Sequence, residues 1–350
     1  MQPRFKLACL RKRDSLGLSK VIARTFLCLL LGSASARGQS PASCLNNLSR
    51  LNVAVIGVGK MGTYHLQNYL TLPGVNVVGV FDANYPTAEA IAQKHGVMAF
   101  RELNELLAQV DAVSVVTHTS SHQRITQQAL DAGVNVLVEK PMSADPVSFA
   151  TLAQTAAAGG LVLQPGLLER YRFLGLAAQS GNLGPPQFIA SHRTNTAPIR
   201  DPKTSVIDDL LIHDLDLVLH LMGGPPTEVR VTGKSVGSPT YDRALVTLIF
   251  PSGAVAKLHA GRQDLVDTRR LTVASADKHL EFNFLQNTVT VTEDGAVPLH
   301  RTGNQANPLR EEIVDFIRAV RTGSSPVVTA DQGLQVLVVL KKIQESIERK

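Results

Sequence analysis

The apolar run LNVAVI, residues 51–56, breaks into Gly57-Val58-Gly59-Lys60-Met61-Gly62, and a second apolar run, VNVVGVF, ends at Asp82, twenty residues past Gly62. No other feature restricts the possible folds as much. In a strand–turn–helix setting the first glycine permits a tight turn, and the second lets the backbone approach a pyrophosphate. The third lets helix and strand pack closely. The N-terminus of the following helix offers free N–H groups and a positive dipole end to phosphate oxygens. Asp82 would accept hydrogen bonds from a ribose diol and repel a 2′-phosphate, and Ala83 and Asn84 supply no cation. The expected ligand is therefore NAD rather than NADP, held by Gly57, Gly59, Lys60, Met61, Gly62 and Asp82. A glycine turn alone is a weak signal, because a plain βα turn with a surface aspartate gives the same pattern. Here the context carries it: a strand before, a helix after and an acid at the right distance.

The pattern continues downstream. Apolar strand-like runs at 51–57, 75–83, 97–100, 112–117, 135–141 and 161–166 alternate with helical stretches at 61–72, 88–95, 102–110, 122–133 and 147–158. Short, doubly apolar strands alternating with helices predict a parallel sheet covered on both faces. After about Gly166 the rhythm changes. A helix is expected at 206–222, then hairpin-like strands ALVTLIF, AVAKLHAG, RRLTVAS, HLEFNF and TVTVTE, and two closing helices. The expected class is α/β: a Rossmann dinucleotide-binding domain over 51–165 and a substrate and oligomerisation domain over 166–350 with a largely antiparallel open sheet.

Composition limits the partners. The chain has 350 residues, 44% of them hydrophobic, and a formal charge of +6. Residues 1–50 hold nine Lys/Arg and one acid, which leaves 26 basic against 28 acidic residues in the remainder. The body is nearly neutral, so neither nucleic acid nor an anionic membrane is an expected partner. Cys9, Cys28 and Cys44 are all in the first segment, so the body can build no disulfide and no thiolate zinc site. That segment fits a short secretory signal ending near Ala34-Ser35-Ala36, an Arg-rich organellar transit peptide, or an over-long reading frame whose true start lies near Leu51. It is excluded from the expected fold. A cytoplasmic setting is favoured because a soluble nicotinamide must be recycled there, with export or an organelle as the alternative.

Two features point to chemistry. Glu139-Lys140-Pro141 ends the fifth strand, at the carboxyl edge where ligands sit in parallel sheets, and Lys140 there could stabilise a developing alkoxide. A strand-end lysine is otherwise a solvated charge. The apolar helix VIDDLLIHDLDLVLHL carries Asp209, His213, Asp216 and His220, which fall within about 60° of one another at helical spacing. That stripe could be a set of satisfied core groups, a metal site from Asp209, His213 and Asp216, or an acid/base face.

Taken in order, GVGKMGTYH, Asp82, HTSSH followed by LDAGVNVLVEKP, DLLIHDLD and EEIVDFIRAVRTGSSPVV resemble the Gfo/Idh/MocA family of oxidoreductases over about residues 51–350. The resemblance implies a tightly held nicotinamide and oxidation or reduction of a sugar or cyclitol carbon. It implies Lys140, Asp209 and His213 as the catalytic trio, with Arg170 beside them at the substrate. Thr117, His122, Glu139 and Lys140 would stand at the cofactor and no metal is needed. Asp216 and His220 are then supporting groups. His118 stands where the family commonly has proline, and in LLERYRF Arg172 and Phe173 replace the usual Asn and Pro. Within the family the chain is most similar to UDP-N-acetylglucosamine 3-dehydrogenase-like members, which implies oxidation of a sugar 3-hydroxyl. Arg170, Arg172, His192 and Arg193 are candidates for a diphosphate. The alternatives are a dehydrogenase of a free sugar or inositol, and a non-catalytic NAD sensor. The open sheet favours a homodimer or homotetramer.

Overall fold

The computed structural model describes residues 50–181, 183–196, 203–303 and 307–348. The readings made of residues 1–49 lie outside the described residues. Six strands form the first sheet: β1 (Leu51–Ile56), β2 (Val75–Phe81), β3 (Met98–Phe100), β4 (Ala112–Val115), β5 (Asn135–Glu139) and β6 (Leu163–Gly166). All are parallel, in the order β3-β2-β1-β4-β5-β6. Strand order reverses between β1 and β4, which opens the crevice where dinucleotides bind in such sheets. The connecting helices are α1 (Lys60–Leu70), α2 (Tyr85–His95), α3 (Leu103–Leu107), α4 (Thr119–Asp131) and α5 (Pro146–Gly159). α5 shows why the chain obeys: Asp145 caps Ser148 N–H, Pro146 opens the helix, and Gly160 ends it in the left-handed region.

The second sheet has eight strands. They are β7 (Phe188–Asn195), β8 (Glu228–Lys234), β9 (Arg243–Ile249), β10 (Val255–Arg262), β11 (Thr268–Ala274), β12 (Lys278–Asn283), β13 (Thr288–Glu293) and β14 (Leu299–Thr302). The order is β14-β13-β12-β11-β7-β10-β9-β8, antiparallel except for the β7–β10 pair. One face buries Val246, Leu248, Ala256, Leu258, Leu271 and Phe282. It is covered by α6 (Glu169–Ala177) and by a π-helical turn, Ile207–Leu211, that runs into α7 (Ile212–Met222). On the other face, Leu245 is half exposed, and His259, His192 and Arg270 stand side by side across β10, β7 and β11.

Four elements were absent from the sequence reading: α6, β7, β8 and β14. The inward residues of β7 include Ser191 and Arg193, and α6 buries Glu169 and Arg170, so neither element carries an apolar stripe. The last helices, α8 (Pro308–Thr322) and α9 (Ala330–Glu348), also depart from a cut at residue 166. Leu309, Ile313, Phe316 and Ile317 of α8 share one apolar cluster with Val53, Val55 and Leu66 of β1 and α1.

Candidate active site

The glycine turn sits at the carboxyl end of β1. Gly57 has φ +88°, and its N–H bonds Phe81 O at 2.7 Å. A Cβ on Gly62 would lie 1.8 Å from Gly57 O, whereas one on Gly59 would meet nothing within 4 Å. The turn is therefore closed where helix meets strand and open where a phosphate would approach. No side chain caps the N-terminus of α1. Asp82 accepts from Val58 N–H and Asn84 N–H, both at 2.9 Å, which fixes its carboxylate beside the turn. These residues fit a dinucleotide, with Asp82 placed for the ribose and the α1 N-terminus for the pyrophosphate.

Thr117 follows β4, and its hydroxyl accepts from Ser121 at 2.8 Å. His122 is 1% exposed, with Nδ1 2.7 Å from Pro141 O and Nε2 2.9 Å from Thr117 O. It ties the β4–α4 loop to the turn after Lys140 from behind, and burial pulls its pKa down. His118, exposed, begins α4.

Lys140 ends β5 with its ammonium on Asp209, 2.8 Å from the backbone oxygen and 3.0 Å from Oδ1. Asp209 reaches it from the π-helical turn, where Ile212 N–H bonds Ile207 O five residues back. The wider turn shifts Asp209 out of the register of α7, so the stripe expected from regular helical spacing divides. Asp209 is half exposed at the sheet edge, while Asp216 is fully buried on Arg170 at 2.6 Å and 3.1 Å. With those two acids held on separate cations, the metal triad does not form. Among the described residues no group of three or more His, Cys, Asp and Glu is arranged to hold a metal. His220 is exposed and meets the edge of the Phe173 ring.

His213 is the second residue of α7, with Nδ1 buried and without a hydrogen-bond partner. Burial, reinforced by Lys140, Arg193, Arg269 and Arg172, holds its pKa well below the usual imidazole value. The ring is neutral at pH 7 and free to accept a proton. Asp208 is also at this edge. It takes a 2.8 Å hydrogen bond from Gln344, and burial pushes it up to about 6, with Asp209 adding to the rise and Lys140 opposing it.

Beneath the edge is a polar layer that the sequence did not reveal. Arg193 bonds Asp214 at 2.7 Å and 2.9 Å and Glu169 at 3.4 Å. Arg172 and Arg269 approach Glu169 at 3.7 Å and 3.9 Å. Arg170, expected at the substrate, is 1% exposed and spent on Asp216, and Arg193 is 2% exposed, so both serve the interior. Arg269 had no sequence signal beyond its charge. Asp214, one residue past His213, was hidden because it falls off the stripe.

Glycine turn, carboxyl edge and neutral imidazole together define a dinucleotide-dependent oxidoreductase. Residues 51–167 match the family model described as oxidoreductase family, NAD-binding Rossmann fold, and residues 172–279 match the GFO/IDH/MocA C-terminal domain. The chain belongs to the Gfo/Idh/MocA family of NAD-dependent oxidoreductases, dehydrogenases acting on CH–OH groups. It is 32% identical to the UDP-N-acetylglucosamine 3-dehydrogenase of Acidithiobacillus ferrooxidans, over 85% of this chain and 97% of that protein. The solved structure of that enzyme superposes with a TM-score of 0.82, covering 85% of this chain and 98% of that one. The myo-inositol 2-dehydrogenase of Thermotoga maritima is 25% identical over 86% of this chain and 97% of its own length.

Proposed function

We propose that this chain oxidises a secondary hydroxyl of a sugar to a ketone, with the 3-hydroxyl of UDP-N-acetylglucosamine as the substrate group. The observation that carries the reading is a neutral, half-buried imidazole at the same sheet edge as a lysine locked onto Asp209. Bound NAD supplies the hydride acceptor. The remaining work is on the alcohol oxygen: Lys140 donates to it and stabilises the charge that develops, and His213 takes the hydroxyl proton. Asp209 holds the ammonium in place and offers its second carboxylate oxygen to a neighbouring hydroxyl. Thr117, flanking the crevice, belongs to the cofactor side, whereas Glu139, expected there, is buried with its carboxylate on His65 and the Lys140 N–H.

A nucleotide sugar also needs a place for its phosphates. Arg269 stands on the covered face of the sheet, paired with Arg193 across β11 and β7 and 3.9 Å from Glu169. Arg269 also lies within electrostatic reach of His213. We assign the diphosphate to Arg269, with Arg172 beside it, in place of the buried Arg170 and Arg193. The UDP-N-acetylglucosamine 3-dehydrogenase among the relatives, 32% identical, supports this choice of substrate. Inositol dehydrogenases among the relatives make a cyclitol the second reading.

The bare face of the eight-stranded sheet suits a second copy of the chain, giving a homodimer or homotetramer. We place the enzyme in the cytoplasm, with the soluble nicotinamide it uses; no described helix is long and apolar enough to cross a membrane. The test is formation of reduced nicotinamide from NAD and UDP-N-acetylglucosamine with a ketone-trapping reagent present. Turnover is the expected result. Turnover with inositols alone would reject the nucleotide sugar, and NAD binding without turnover on either class would reject the dehydrogenase.

A further inference from the structure

Cofactor helix and catalytic strand are joined inside the protein by side chains to which the reaction above gives no part. His65, three residues past Gly62 on α1, is 0% exposed. Its Nε2 lies 3.1 Å from Glu139 Oε1 on β5, and its Nδ1 lies 3.1 Å from Ser114 Oγ on β4. Tyr69, one turn further along α1, reaches the same Ser114 oxygen at 2.8 Å. The other oxygen of Glu139 accepts the backbone N–H of Lys140 at 3.1 Å.

One proton arrangement satisfies this set. Tyr69 donates to Ser114, Ser114 to His65 Nδ1, and His65 Nε2–H to an ionised Glu139, which also takes the Lys140 N–H. Burial opposes that ionisation, while the hydrogen bonds from His65 and the Lys140 N–H and the Lys140 charge favour it. Glu312, the neighbouring buried acid, is pushed well above the usual carboxylate range by burial and by the charges of Glu139, Asp216 and Asp315. The sheet leaves room for Glu139: a Cβ on Gly166 of β6 would lie 2.9 Å from the Glu139 Cα. The serine–histidine–acid sequence is that of a nucleophilic triad, yet Ser114 is 0% exposed within the parallel sheet, where no substrate can reach.

We propose that His65 and Glu139 are a positioning couple for Lys140. His65 holds the Glu139 carboxylate in one rotamer, and Glu139 holds the Lys140 peptide, so the ammonium is aimed at Asp209 and the reacting oxygen. The couple also fastens the pyrophosphate-binding helix to the strand that carries the chemistry. This rests on the catalytic reading of Lys140.

The full chain with single substitutions tests it through two readouts. His65→Asn and Glu139→Gln are expected to lower kcat on the order of 10- to 100-fold, with the Kd for NAD nearly unchanged. In the cofactor-free protein both are expected to speed acetylation of Lys140 by an N-hydroxysuccinimide ester, read by peptide mass spectrometry. His65→Gln, whose amide reaches the position of Nε2, should keep most of the parent kcat. The double variant should be no slower than the worse single one. Parental kcat and labelling in His65→Asn, or losses that multiply in the double variant, would overturn the couple. If His65→Asn does not fold, the Glu139→Gln labelling rate decides alone. Lys140→Met separates the two readings: full turnover there sinks the catalytic assignment, whereas an inert Lys140→Met with a parental His65→Asn sinks only the couple.

Discussion

The six-stranded sheet buries both faces and gathers its functional residues at one edge, whereas the eight-stranded sheet buries one face and puts ionised side chains inside it. In the first, Val53, Val55, Val113, Val136 and Leu137 are fully buried, and polar groups appear mainly where the strands end. In the second, Arg193, Asp214, Glu169, Arg170 and Asp216 form an ionic layer between β7, α6 and α7. Charged groups at an edge keep contact with water and ligand and can be spent on chemistry. Charged groups in a layer are held on one another, and their work is to fix where α7 lies. Asp209 and Asp216, seven residues apart, fall on opposite sides of this division.

The sharpest test of the edge is Lys140→Met or His213→Ala, each expected to lower kcat about 10²- to 10⁴-fold while isothermal titration finds NAD binding intact. The acid limb of kcat/KM should lie below about pH 6.5, because His213 is depressed and stays neutral there. For the layer, Asp216→Ala strands Arg170 in the interior and should cost about 3–5 kcal/mol in denaturant unfolding. Asp209→Asn should change stability by under about 1 kcal/mol yet slow turnover, and equal destabilisation by the two would break the comparison. Asp208 sharpens the boundary between them. Its folded pKa of about 6 lies above the ordinary 3.8, so the native state binds more protons between those values and stability falls as pH rises through that window. Asp208→Asn should flatten that slope, an effect of at most about 3 kcal/mol because the group is only half-buried. Gly62→Ala should cost about 1–3 kcal/mol from the clash with Gly57 O, with NAD affinity lost alongside it.

The same division explains what could be read from the sequence. Strands buried on both faces appear as unbroken apolar runs, so β1, β2, β4 and β5 were legible, as was the glycine turn between β1 and α1. β7 was not, because Ser191 and Arg193 point inward and an inward arginine looks like a surface residue until its acid is found on another element. Of the site, Lys140 and Asp209 are brought together, and His213 lies close enough for the lysine to depress its pKa. Regular helical spacing put Asp209 and Asp216 on one stripe because a π-helical turn cannot be seen in the pattern of apolar residues. His65 stood in the quoted motif GVGKMGTYH, but its partners Ser114 and Glu139 lie 49 and 74 residues away.

The return of α8 to the first sheet bears on how the chain is made. β1 and α1 are among the first body residues to leave a ribosome, and Phe316 and Ile317, which complete their cluster, come more than 240 residues later. Until then Val53, Val55 and Leu66 lack part of their cover, so the dinucleotide half completes its apolar cluster only once α8 has been made. A nascent chain stalled before Pro308 would present that incomplete apolar face to chaperones.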